Sequence, residues 1–173
     1  MPKDTITILT ALITAFSTLT AVFITNYFNM KSIERNLRFQ FQLKSYEIKL
    51  NKLEDIYELF EKWEVNFSII YLNYLQFHKK KISEPQLYEL MTDLTSVSGI
   101  FQKMMTLLNI HFPELDEEYK KVNLARSEVV KFMNTNAKID IENFVKAQEN
   151  FEKVAKKFKK QISALAEKHK EII

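Results

Sequence analysis

The chain has 173 residues with one glycine, three prolines and no cysteine, and its net charge is +3. So little turn-forming material argues against strands and glycine-rich phosphate loops, and the lack of cysteine removes disulfides, thiolate metal sites and cysteine nucleophiles together. A surplus of three positive charges is too small to argue for nucleic-acid binding.

The first element is a run without a charged residue, positions 5–30, which holds seven threonines along with Ser17, Asn26 and Asn29. As a helix it measures about 39 Å, enough to cross the hydrocarbon of a bilayer with some tilt. ITNYFNMK, at its end, has no small-x-small cleavage site, so the expectation is a retained anchor over 1–30 rather than a signal peptide. Lys31, Arg35, Arg38 and Lys44 follow the run and only Lys3 precedes it. The positive-inside rule then puts the N-terminus outside and the rest of the chain in the cytoplasm, as a single-pass protein of the bacterial inner membrane.

The hydroxyls are not scattered. At 100° per residue, Thr7, Thr14, Thr18 and Thr25 fall in a stripe about 40° wide, which Ala11, Ala21 and Asn29 widen to about 80°. Leu9, Leu12, Phe16, Leu19, Phe23 and Met30 take the other side. Two readings stay open: small residues that let helices pack closely, or a face that meets water in an oligomeric pore. Both require self-association.

From 31 to about 82 the pattern predicts one long helix. Phe39, Leu43, Tyr46, Leu50, Leu53, Phe60, Phe67 and Tyr74 recur at heptad spacings, joined by Ile56, Trp63, Ile70 and Phe77. LRFQFQL alternates like a strand, but the longer period outvotes it. The membrane-proximal part is expected to form a stalk packed on other subunits through Phe39, Phe41 and Leu43. Its far end carries His78, Lys79, Lys80 and Lys81, a tip that reads either as a solvated turn or as a contact for a partner or RNA phosphate.

A second helix is expected over about 84–110, with Ser83 as N-cap and Gln86 closing a capping box. Its apolar series is Leu87, Leu90, Leu94, Val97, Phe101, Met104 and Leu108. Phe112-Pro113 ends it. A third, over about 113–135, opens on Glu114, Asp116, Glu117 and Glu118, where the helix dipole favours acids, and buries Leu115, Tyr119, Val122, Val129 and Met133. A fourth, about 140–172, is capped by Asp140, with Ile139 stapled onto Phe144. Ile141, Phe144, Gln148, Phe151, Ala155, Phe158, Ile162, Leu165, His169 and Ile172 form its apolar side.

The expected fold is therefore all-α: one N-terminal transmembrane helix and, over 31–173, a cytoplasmic antiparallel four-helix bundle with a long first helix. Charge is unevenly spread, with ten basic against seven acidic residues over 31–82, five against eight over 83–136, and nine against six from 137 onward. In an up-down bundle the last helix returns toward the bilayer. Lys156, Lys157, Lys159 and Lys160 then either meet the anionic leaflet, together with Lys31, Arg35 and Arg38, or form a solvated face.

Chemistry is hard to find. His78, His111 and His169 lie on three separate segments, with no HExxH, ExxH, P-loop or GxSxG, so no catalytic residue, metal or cofactor is expected. The acids near Pro113 are explained by a helix N-terminus.

A short chain with one N-terminal span and a basic, helical cytoplasmic part resembles the small membrane accessory protein of type VI-B CRISPR loci. The resemblance lies in the layout of the whole chain. It implies a ring-shaped homo-oligomeric pore that depolarises the inner membrane in antiphage defence, alongside an RNA-guided effector, with the bilayer and further copies of itself as partners. The resemblance also implies a likeness to HEPN nucleases, whose site has a histidine four to six residues after an arginine. Here Arg126 is followed by SEVVKFM, and neither Arg35 nor Arg38 has a histidine at that distance. Ribonuclease activity is accordingly not expected, nor is nucleic acid as a direct ligand. The alternative is a passive anchor, adaptor or scaffold for a cytoplasmic partner, and a third reading is a HEPN-like bundle ribonuclease, which would cleave RNA through a histidine.

Overall fold

A computed structural model describes residues 3–92, 98–136 and 138–170. These residues form α1 (Lys3–His78), α2 (Glu84–Thr92), α3 (Ser98–His111), a 3-10 turn (Pro113–Leu115), α4 (Asp116–Val130) and α5 (Ile141–Lys170). No strand occurs among the described residues, and LRFQFQL is helical. The chain divides into two units, Met1–Tyr46 and Glu47–Ile173.

In the first unit, every described residue from Lys3 to Ser45 is exposed. α1 runs 76 residues without interruption, since neither proline nor glycine occurs between Lys3 and His78, and the expected domain boundary at position 30 falls inside this one helix.

The second unit holds the core. Leu53, Ile56, Phe60, Trp63, Phe67 and Tyr71 are its α1 contribution, joined by Met104 and Leu108 from α3, by Phe112 and Leu115, by Tyr119, Val122, Ala125 and Val129 from α4, and by Phe144, Phe151, Ala155, Phe158 and Ile162 from α5. Ring contacts set the helix directions. Phe60 meets Phe158 at 4.9 Å, Phe67 meets Phe151 at 4.8 Å and Tyr71 meets Phe144 at 4.7 Å, so α1 and α5 run antiparallel here. Trp63 touches Phe101, Tyr119 and Phe151, one ring from each of α3, α4 and α5.

Helix ends depart from the sequence expectation in two places. α1 stops at His78, four residues before 82. Lys80 adopts φ 57°, the Lys80 N–H donates to Phe77 O and the Lys81 N–H to Gln76 O. This is a Schellman closure with lysine where glycine is usual. Over the expected helix 84–110 the described residues form α2 and α3, with 93–97, including Leu94 and Val97, outside the described residues; Leu90, expected to be buried, is 41% exposed. The third helix begins with a 3-10 turn led by Pro113 and ends at Val130 rather than near 135.

The caps follow the sequence more closely. Gln86 Oε1 accepts both the Ser83 N–H at 2.9 Å and the Ser83 hydroxyl at 3.0 Å. Asp140 Oδ1 accepts the Glu142 N–H at 2.9 Å, and Ile139 packs on the core that contains Phe144. Ile172 and the His169 side chain lie outside the described residues.

Candidate functional site

Two surfaces carry the unusual chemistry: the uncovered apolar helix of the first unit and a charged groove in the second. α1 is long and apolar enough near the N-terminus to cross a membrane, and none of that stretch is buried. Phe16 and Phe23 are each 75% exposed. Thr7, Ala11, Thr14, Thr18, Ala21, Thr25 and Asn29 are all exposed on this helix. Three of the four threonine hydroxyls of the stripe are occupied locally: Thr7 donates to Lys3 O at 3.1 Å, Thr14 to Thr10 O at 2.9 Å and Thr18 to Thr14 O at 2.8 Å. Thr10, Ser17 and Thr20, away from the stripe, do the same with Ile6 O, Ile13 O and Phe16 O. With its proton donated within the helix, each hydroxyl is compatible with lipid or a neighbouring helix and has no need of water. Thr7, Ala11 and Thr14, with Ile6, Thr10 and Ala15, line a shallow depression of small side chains.

Just beyond, Lys31 Nζ lies 5.2 Å from the Tyr27 ring centroid, a cation–π pair where an interfacial aromatic belt would fall. Arg38 pairs with Glu34 at 3.1 Å, both exposed, while Arg35 is exposed beside them. Phe39, Phe41 and Leu43 are 53%, 72% and 36% exposed, so the expected stalk is uncovered among the described residues. Ile33 and Leu37, equally uncovered, fall outside the heptad seam because they lie on the other side of the helix.

In the second unit the basic residues of α5 separate. Lys159 is held at 2.7 Å by Glu64 and at 3.6 Å by Glu61 of α1. Burial pushes its ammonium pKa down, and the bond to Glu64 and the two carboxylate charges more than offset this and raise it. Lys157 lies 4.0 Å from Glu118, and Lys156 and Lys160 stay exposed. A groove beside α1 brings Val65, Ile69 and Leu72 together with Lys156, Lys160 and Glu167.

At the tip the histidine and the lysines part company. His78 is half-buried and its Nε2–H donates to Phe132 O at 3.1 Å, fastening the end of α1 to the chain beyond α4. Lys79, Lys80 and Lys81 are exposed, and Lys80 and Lys81 belong to the helix closure. His111 accepts a hydrogen bond from Lys52 at 2.8 Å. Among the described residues no group of three His, Asp or Glu side chains is placed to hold a metal ion. No protein-family model matches this chain, and no curated protein or solved structure does either.

Proposed function

We propose that this protein is a single-span, homo-oligomeric protein of the bacterial inner membrane that opens a pore and depolarises the membrane in antiphage defence. Its N-terminus lies outside and its bundle is cytoplasmic. The observation that carries this reading is the uncovered apolar run at the start of α1, none of which is buried in the chain's own fold. A core helix of a soluble domain would be covered. Ile6, Ile8, Leu9, Leu12, Ile13, Phe16, Leu19, Val22, Phe23 and Ile24 are all at least half exposed. Leaving such a side chain in water forgoes about 1.5–3 kcal/mol each. Ten of them outweigh the roughly 5–15 kcal/mol that holds a whole domain together. Lipid and further copies of the chain are what can cover them.

The stripe of Thr7, Thr14, Thr18, Thr25 and Asn29 then faces the centre of the assembly. The antiparallel contacts of the second unit support an up-down bundle as the assembling and signal-receiving part. Lys31, Arg35 and Arg38 follow the span directly and suit the anionic inner leaflet. The partner that supplies the signal is an RNA-guided effector, as the layout resemblance implies.

A second reading, a passive anchor for a cytoplasmic partner, is favoured by one observation: the Thr7, Thr14 and Thr18 hydroxyls already donate to their own backbone. Planar-bilayer conductance of the purified protein separates the two. Thr14→Leu with Thr18→Leu should abolish conductance while leaving the particle mass unchanged. Conductance that survives the double replacement makes the stripe a packing seam, and a monomeric particle in several mild detergents removes the pore altogether.

A further inference from the structure

The exposed stretch 31–45 of α1 carries more pattern than a single contact seam requires. Viewed down the helix at about 100° per residue, its side chains sort into four arcs. Phe39 and Leu43 form one apolar face, with Ser32 between them, and Ile33, Leu37 and Phe41 form a second, which Lys44 shares. Between them on the wide side lie Lys31, Glu34, Arg35, Arg38, Gln42 and Ser45. On the narrow side lie only Asn36 and Gln40, in line with Asn29 and Thr18. All of these residues are exposed in the chain.

A lone helix outside the hydrocarbon has no use for two uncovered apolar faces, and a two-stranded coiled coil uses one. The two face centres lie about 140° apart across the Asn36/Gln40 side. Parallel copies joined face to face at such an angle curve around that side, and a head-to-tail contact of this kind gives a ring when its rotation closes.

We infer that the stalk is a heterologous interface between copies of this chain, in which Phe39 and Leu43 of one copy pack against Leu37 and Phe41 of the next. The inference rests on the homo-oligomeric reading above and names the contact that would build it. Charge agrees with the pairing. Arg35 borders the first face on its wide side and Glu34 borders the second, so the contact brings opposite charges together at nearly the same height. Asn36 and Gln40 would continue the threonine line toward the cytoplasm as a neutral polar lining.

The chain contains no cysteine, so disulfide trapping in native membranes reads this contact without background. Leu37→Cys with Phe39→Cys should give a ladder of covalent multimers on oxidation. The two thiols of one chain cannot reach each other, since residues two apart on a helix do not face one another. Either single replacement should stay monomeric. Phe41→Cys with Leu43→Cys provides a second pair should the first disturb assembly. Strong dimer formation from Phe39→Cys alone would mean a two-fold seam and overturn the inference. A multi-subunit, conducting particle with no ladder from either pair would overturn it too, while leaving the pore reading intact. A monomeric particle defeats both.

Discussion

Gln148 offers the sharpest test of the packed unit, because it is a polar side chain in the wrong surroundings. It is 3% exposed on α5; its Nε2 donates to Glu152 Oε1 at 2.9 Å and lies 3.5 Å from Ser68 Oγ, while its Oε1 meets no donor. Leaving a buried acceptor unpaired costs about 1–3 kcal/mol. Gln148→Met removes that oxygen at nearly constant volume, a change that ordinarily costs under about 1.5 kcal/mol in packing. The bond lost to Glu152 is cheap to replace with water, because Glu152 is exposed. The net expectation is a gain of about 1 kcal/mol, or a midpoint some 0.3–1 M higher in urea. Trp63 is the assay: the chain has one tryptophan, it is 7% exposed, and it touches rings from three other helices. Its fluorescence therefore follows the unfolding of this core in detergent-solubilised protein. A loss of more than about 1 kcal/mol for Gln148→Met would refute the reasoning, since the amide oxygen would then have to be making a favourable bond.

Three further predictions use the same signal. Phe158→Ala, at 1% exposure against Phe60 and Tyr119, should cost about 3–5 kcal/mol, whereas Leu124→Ala at 67% exposure should stay within about 0.5 kcal/mol; equal effects would place the core elsewhere. Lys80→Gly relieves the left-handed residue at the end of α1 and should raise stability by about 0.5–1 kcal/mol, with Lys80→Ala close to neutral; a matching gain from alanine would make charge the cause. Burial pushes the Tyr119 phenol up to about 12 from its ordinary 10.0. The folded state thus holds a proton that the unfolded state releases, so this contribution is complete below pH 10 and is lost as pH rises toward 12. Tyr119→Phe should flatten that alkaline fall in stability, and an unchanged profile would assign it to other groups.

Much of this protein is written in its periodicity. A chain with one glycine and an unbroken 3/4 apolar pattern has few options but helices, and the uncharged stretch at 5–30 marks itself by length alone. Gln86 closes back onto Ser83, and Asp140 caps α5, where local chemistry says they should, because these contacts involve only neighbours in sequence. The threonine stripe was equally legible, being a property of one helix.

What lay beyond the sequence is what depends on the element across the gap. Periodicity reports that a face is apolar, and it is silent on what the face meets. Leu90 fits the buried pattern and is 41% exposed, and His78, legible as part of a basic tip, turns inward to Phe132. Lys159 looked like one lysine in a basic row; only the approach of α5 to α1 brings it to Glu64 and sets it apart from the exposed Lys156 and Lys160. Trp63 joins three helices because the antiparallel contacts converge at its level, a distance relation that no spacing along one chain can encode.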